Sequence, residues 1–211
     1  MAMKSNSNIK VAVLVSGSGS NLQAIIDASK NDRDFGAEVS LVISNREKAF
    51  GLKRAENEGI DNFFIKDNEE ILKKLKEYEI DLVVLAGYLK IIPERIIDEF
   101  PNRIINIHPS LIPSFCGMGY YGIKVHEAAI ERGVKVSGCT THFVNKIADA
   151  GPIILQKVVN VDFSYDADRL QQEILKEEHK ILPESIKLFA HGNLEVVGNR
   201  VKIRSNNLCV H

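Results

Sequence analysis

Asn106, His108 and Asp149 are the side chains whose types and spacing best suit acyl-group chemistry. Asn106-Ile107-His108-Pro109-Ser110 closes a short apolar segment, Ile104 to Ile107, that reads as a buried strand. Alternate side chains of an extended segment share a face, so Asn106 and His108 point the same way at a strand's carboxyl end. An amide donor beside an imidazole can stabilise a developing oxyanion. A lone loop histidine is more often simply hydrogen-bonded in place; here the strand-end position and the neighbouring amide favour catalysis. Pro109 and Pro113 stiffen the chain just beyond. Asp149, in Ala148-Asp149-Ala150-Gly151-Pro152, is either an ordinary turn residue or a carboxylate that pairs with His108 and raises its pKa above the reference of about 6.5.

A second group is Ser16-Gly17-Ser18-Gly19-Ser20-Asn21, between an apolar strand, Ile9 to Val15, and a helix expected over Asn21 to Lys30. Small residues there let backbone N–H groups face an anion, with the helix dipole adding to the attraction. Ser18, Ser20 and Asn21 can add side-chain donors. The alternative is a plain βα turn with Ser or Asn as N-cap. The turn is not a dinucleotide fingerprint, because Leu22 fills the third glycine position, and it lacks the Gly-Lys-Ser/Thr of a P-loop. It suits a monophosphate better.

Other chemistries are poorly served. The histidines at 108, 126, 142, 179, 191 and 211 include no i, i+4 pair, and no Cys-x-x-Cys occurs, so no metal is expected. Gly17-Ser18-Gly19-Ser20 has the wrong spacing for a hydrolase nucleophile elbow. Cys116, Cys139 and Cys209 form no disulfide framework and read as free thiols in a reducing compartment. Cys116 lies in a Gly- and aromatic-rich loop, where a cysteine is usually a bystander.

The elements that must position these groups repeat. Strands are expected at Ile9–Val15, Val39–Ile43, Phe63–Ile65, Leu82–Leu85 and Ile104–Ile107, and helices at Ala49–Glu58, Asn68–Glu79 and from Pro93 onward. That alternation means βαβ units, a mostly parallel Rossmann-like sheet, and a ligand site beyond the strands' carboxyl ends. The second half differs. Ser110–Gly122 is a long loop of the functional kind, and Ile123–Arg132 a helix stopped by Gly133. Val136–Val144 and Ile153–Val161 read as exposed-edge or antiparallel strands. Ala167–Ala190 is a long helix broken or bent near Pro183, and Glu195–Ile203 a hairpin turning at Gly198-Asn199. The expected fold is therefore α/β, with an antiparallel extension in the C-terminal part. Residues 1–8 form a polar leader without regular order, 9–204 one domain, and 205–211 a tail.

The 211 residues are 45% hydrophobic and 26% charged, with a formal net charge of −1. No global field draws such a chain to nucleic acid or an anionic membrane. The polar start has no apolar core of a signal peptide, and the apolar runs are too short to span a bilayer, so a cytoplasmic location is expected.

Three segments together resemble the folate-dependent formyltransferases. Val15 to Ile25 resembles the phosphate turn of the phosphoribosylglycinamide formyltransferases (GAR transformylases). Asn106-Ile107-His108-Pro109-Ser110-Leu111-Ile112-Pro113 resembles the superfamily signature Asn-x-His-Pro-Ser-Leu-Leu-Pro, and Asp149-Ala150-Gly151-Pro152-Ile153-Ile154 its Asp-x-Gly-Pro-Ile-Ile segment. The resemblance implies formyl transfer from 10-formyltetrahydrofolate to the amine of 5-phosphoribosylglycinamide, in purine biosynthesis, without a metal. It implies that Asn106, His108 and Asp149 form the catalytic trio, that Gly19, Ser20 and Asn21 hold the substrate phosphate, and that Glu178 contacts the glycinamide. Leu89, Lys90, Ile91, Ile92 and Asn106 match the folate-binding residues, with Lys90 where an arginine is common in relatives. Cys116 stands where many relatives have proline. The implied partners are these two small molecules, with no nucleic acid or membrane; the oligomeric state is left open.

Competing expectations are a formyltetrahydrofolate deformylase, which usually carries an added N-terminal domain, and a methionyl-tRNA formyltransferase, which carries a C-terminal RNA-binding domain. A non-catalytic phosphate-binding module would keep the Ser16–Asn21 turn but has no need for Asn106, His108 and Asp149 together.

Overall fold

The computed structural model of the protein describes residues 8–204. Residues 1–7 of the expected leader, and the tail 205–211 with Cys209, lie outside the described residues. The first half alternates as expected: β1 (Ile9–Val15), α1 (Ser20–Asn31), β2 (Ala37–Ser44), α2 (Phe50–Asn57), β3 (Asn62–Phe64), α3 (Asn68–Glu77), β4 (Leu82–Leu85), α4 (Glu94–Glu99) and β5 (Ile104–His108). Then come α5 (Ile123–Arg132), β6 (Val136–Phe143), β7 (Ile153–Asn160), α6 (Ala167–Ala190), β8 (Leu194–Val197) and β9 (Arg200–Ile203).

These strands form one nine-stranded sheet in the order β3-β2-β1-β4-β5-β6-β7-β9-β8. Strands β1 to β5 pair in parallel, and β6 runs antiparallel to both β5 and β7. The period of two along a strand sends alternate side chains into separate cores. Val11, Val13 and Val15 pack on one face with Leu22, Ile25 and Ile26 of α1 and Ile174, Ile181 and Ile186 of α6. Ala12 and Leu14 pack on the other face with Ile71 and Leu75 of α3 and Ile96 and Ile97 of α4. Burial on both faces is why these strands read as unbroken apolar runs.

Two expectations need correction. Strand β6 is antiparallel but not an exposed edge: it lies between β5 and β7, and every residue from Ser137 to Phe143 is buried. Helix α6 is not broken at Pro183 but continues for 24 residues with the proline inside. One missing N–H is tolerated there because Leu170, Ile174, Ile181, Leu182 and Ile186 anchor the helix in the core. Among the described residues, no helix is long and apolar enough to cross a membrane.

The sheet order reverses direction at β1, which has β2 on one side and β4 on the other. The crevice outside the carboxyl ends of β1 and β4 is the switch point where open α/β sheets bind ligands.

Candidate active site

The Ser16–Gly19 turn leaves β1 at that switch point. Gly19 caps α1 with φ +69° and no side-chain cap, so the Ser or Asn cap of the alternative reading does not form, and Ser20 and Asn21 lie inside the helix. Gln23 N–H is the one that bonds back to the Gly19 carbonyl, at 3.0 Å. The N–H groups of Ser20, Asn21 and Leu22 precede the first helical bond and lie at the positive end of the helix dipole. A side chain at position 19 would be strained at that φ, and its Cβ would stand 2.6 Å from Gly51 Cα. The Asn21 amide donates to Glu178 Oε2 at 2.7 Å, so the side chain is tied to the carboxylate, and its Oδ1 has no partner. Glu178 is buried on α6; burial raises its pKa and the Asn21 hydrogen bond opposes the rise.

Strand β5 carries Asn106 and His108 to the same crevice. It runs one residue further than expected and includes His108 itself. The antiparallel register sets Asn106 opposite His142 and His108 opposite Thr140. Asn106 Nδ2 lies 3.1 Å from His142 Nε2, and His142 Nδ1 lies 2.9 Å from the Phe143 carbonyl. A carbonyl only accepts, so Nδ1 of His142 bears the proton and Nε2 accepts from Asn106. His108 Nε2 donates to the Phe115 carbonyl at 2.9 Å. Asp149 stands 3.6 Å from both His108 Nδ1 and His142 Nε2, and it accepts the Gly117 N–H at 2.8 Å.

The carboxylate and the imidazole thus meet, but the expected rise of the His108 pKa does not follow. Burial lowers it, and Asp149 and the Phe115 carbonyl offset only part of the loss, so it lies below the ordinary histidine value. Burial raises the Asp149 carboxyl, while the charge of His108 and the Gly117 N–H are among the causes that bring it below the ordinary carboxylate value. His126 of α5 is also buried beside the cavity, with Nδ1 unpartnered; burial, with His108 adding, pushes it down to about 4.

Ser16 joins the turn after β1 to the segment after β4. Its hydroxyl accepts the Leu89 N–H at 2.9 Å and donates to Asn45 Oδ1 at 2.7 Å, and its N–H reaches the Gly87 carbonyl at 3.2 Å. Leu89 and Ile91 are exposed on the rim and Ile92 is buried. Lys90 Nζ donates to the Lys66 carbonyl at 2.7 Å and to Asn68 Oδ1 at 2.9 Å, which commits its charge to the loop before α3.

The residues that the resemblance carries over, Gly19, Ser20, Asn21, Leu89, Lys90, Ile91, Ile92, Asn106, His108, Asp149 and Glu178, line one cavity of about 670 Å³, whereas Ser16 and Cys116 do not. Sequence reasoning missed His142, His126, Tyr88, Gln171 and the Val144–Ala148 stretch, which line it too. His142 left one trace, as a histidine near the end of the strand expected just before the Asp149 loop; its partnership with Asn106 needs the strand register. The Cys116 thiol lies 3.2 Å from the Pro113 carbonyl, and burial and then Asp149 raise its pKa, the opposite of an activated nucleophile. Among the described residues, no group of three or more His, Cys, Asp or Glu could hold a metal ion.

A family model described as formyl transferase matches residues 9–186. The crystal structure of glycinamide ribonucleotide transformylase 1 from Symbiobacterium toebii superposes with a TM-score of 0.89 at 42% identity, covering 96% of each chain. The chloroplastic phosphoribosylglycinamide formyltransferase of Vigna unguiculata is 42% identical over 194 residues. That match takes in 88% of this chain and 62% of the plant protein, so the chain spans less than two thirds of that relative. A formyltetrahydrofolate deformylase from Pseudomonas syringae pv. tomato superposes with a TM-score of 0.86 at 26% identity, over 94% of this chain and 67% of that one.

Proposed function

Since the chain belongs to the formyl transferase family, whose model covers residues 9–186, we propose that it transfers the formyl group of 10-formyltetrahydrofolate to the amine of 5-phosphoribosylglycinamide. The observation that carries this reading is that one cavity joins an anion-accepting helix start, Gly19–Asn21, to the Asn106–His108–Asp149 cluster and an apolar wall. A phosphorylated amine at the first and a flat heterocycle against Ile91, Ile92 and Val144 would bring the reacting atoms between them.

The chemistry needs no covalent enzyme intermediate. The acceptor amine attacks the formyl carbon, negative charge develops on the formyl oxygen, and the oxyanion then collapses with cleavage of the bond to the folate nitrogen, which leaves carrying a proton in place of the formyl group. Asn106 has a second amide N–H beyond the one given to His142, and this is a donor for that oxygen. His108 supplies its Nε2–H once the group leaves the Phe115 carbonyl. Asp149, 3.6 Å from His108 Nδ1, can accept the amine's proton through water and pass it on to the leaving folate nitrogen. Glu178, hydrogen-bonded to Asn21 beside the cradle, would contact the glycinamide.

The experiment is a formyl-transfer assay with and without the phosphorylated amine. Donor consumption that requires the amine supports the transferase. Rapid deformylation without any amine, with no acceptor binding by calorimetry, replaces it with the hydrolase that shares this fold.

A further inference from the structure

We propose that Arg54 of α2 is a positioning residue for the acceptor's phosphate, bracing the Ser16–Asn21 turn from behind; this rests on the phosphate-holding role proposed above for that turn. Arg54 does not line the cavity. Its Nε donates to the Ser18 carbonyl at 2.9 Å and its Nη1 to Gln23 Oε1 at 3.3 Å. Three residues earlier, the Gly51 N–H donates to the Gly17 carbonyl at 3.1 Å. Helix α2, through Gly51 in its first turn and Arg54 in its last, therefore draws two successive carbonyls of the turn away from the cavity.

The peptide group is planar and trans, so a carbonyl held on one side sends the following N–H to the other. Fixing the Gly17 and Ser18 carbonyls aims the Ser18 and Gly19 N–H groups opposite to α2. They extend the row of donors begun by the free N–H groups at the start of α1. Contact is close enough to make this a rigid seat: an added Cβ at Gly19 would lie 2.6 Å from Gly51 Cα and 3.4 Å from Arg54 Cδ.

The charge of Arg54 also counts. Both acceptors of its guanidinium are neutral, so those contacts leave its charge uncancelled. Gln23 links it onward to acids: its amide donates to Asp27 Oδ1 at 3.0 Å and to Glu58 Oε1 at 3.2 Å, and Glu58 is itself paired with Lys30. Across the turn, burial and then the Arg54 charge hold His179 of α6 below the ordinary histidine value, which sets the guanidinium near the helix that carries Glu178.

The test measures binding of 5-phosphoribosylglycinamide, its unphosphorylated riboside, inorganic phosphate and the folate donor to wild type, Arg54→Met and Arg54→Lys, with kcat and KM. A lost charge-assisted hydrogen bond corresponds to about 10- to 100-fold in binding. Arg54→Met is expected to raise Kd and KM for the phosphorylated acceptor by about that factor, with saturating kcat and donor Kd nearly unchanged. Riboside binding should not fall further, and Arg54→Lys, which keeps the charge but not the fork, should recover part of the loss. If Arg54→Met does not fold, Arg54→Lys carries the test, with a KM rise of several-fold for the phosphorylated acceptor alone. Wild-type affinity in the variant that folds, or an equal loss for riboside and donor, overturns the positioning role while leaving the turn's function standing. A wild type that does not prefer the phosphorylated acceptor removes the phosphate reading of the turn, and the role of Arg54 with it.

Discussion

Asn106 and His142 face each other across two antiparallel strands, the amide nitrogen 3.1 Å from the imidazole Nε2. The imidazole fixes which end of the amide presents its donors to the cavity. Asn106→Ala should lower kcat by about 10²- to 10³-fold, the usual cost of one oxyanion donor. His142→Ala should lower it by about 10-fold or more by freeing the amide to rotate. Steady-state kinetics decide; an unchanged kcat in His142→Ala would separate the pair.

His108 and Asp149 should behave as a unit. His108→Ala and Asp149→Asn should each depress kcat strongly with little change in acceptor Kd, and the double variant should lose less than the product of the two. Fully multiplicative losses in a double-mutant cycle would show that the 3.6 Å approach carries no coupling.

The pH dependence follows from the depressed His108 value. An imidazole lowered below about 6.5 is already neutral at neutral pH, so it has no descending limb to contribute above that. The bell expected if Asp149 dominated His108 becomes a rise and a plateau. kcat/KM should climb as the acceptor amine deprotonates near roughly pH 8 and stay level to pH 9. A fall between pH 7 and 9 would show that the imidazolium is required.

Stability has its own pH signature. His126 is pushed down to about 4 in the folded protein, so between about pH 4 and 6.5 the unfolded chain binds more protons. Stability should therefore rise with pH through that window, by up to about 3 kcal/mol, and be fully present above it. Asp149, lowered when folded, acts elsewhere: its contribution is present above the unfolded value of about 3.9 and is lost as pH falls through its folded value. Thermal melts of His126→Leu should lose much of the slope between pH 4 and 6.5 and keep the one below it.

Lys90 and Ile91 divide the segment proposed to meet the folate. The Lys90 ammonium is bound to Lys66 and Asn68, whereas Ile91 is two-thirds exposed at 67% on the cavity rim. Lys90→Ala should change donor KM by less than about threefold, and Ile91→Asp should raise it by about 10-fold or more, since burying a carboxylate against the heterocycle has no compensating partner. Donor titrations against both variants check the contrast.

Residue order alone was enough to read most of the elements and to single out side chains that meet in one cavity. Buried parallel strands read as apolar runs because both faces are covered, as at Val11 to Val15, and the switch-point rule placed their following loops at a site. Asn106, His108 and Asp149 were legible from strand-end position and motif. What the sequence could not contain was anything set by strand register or by burial. The partnership of Asn106 with His142 depends on β5 and β6 pairing antiparallel, a contact between residues 36 positions apart. The direction of the His108 shift depends on how completely the fold desolvates the ring, which competes with the nearby carboxylate and wins. The Gly19 cap and the Arg54 brace are likewise tertiary, because the turn's geometry is imposed by α2, a helix that begins after an intervening strand and meets it only in the folded chain.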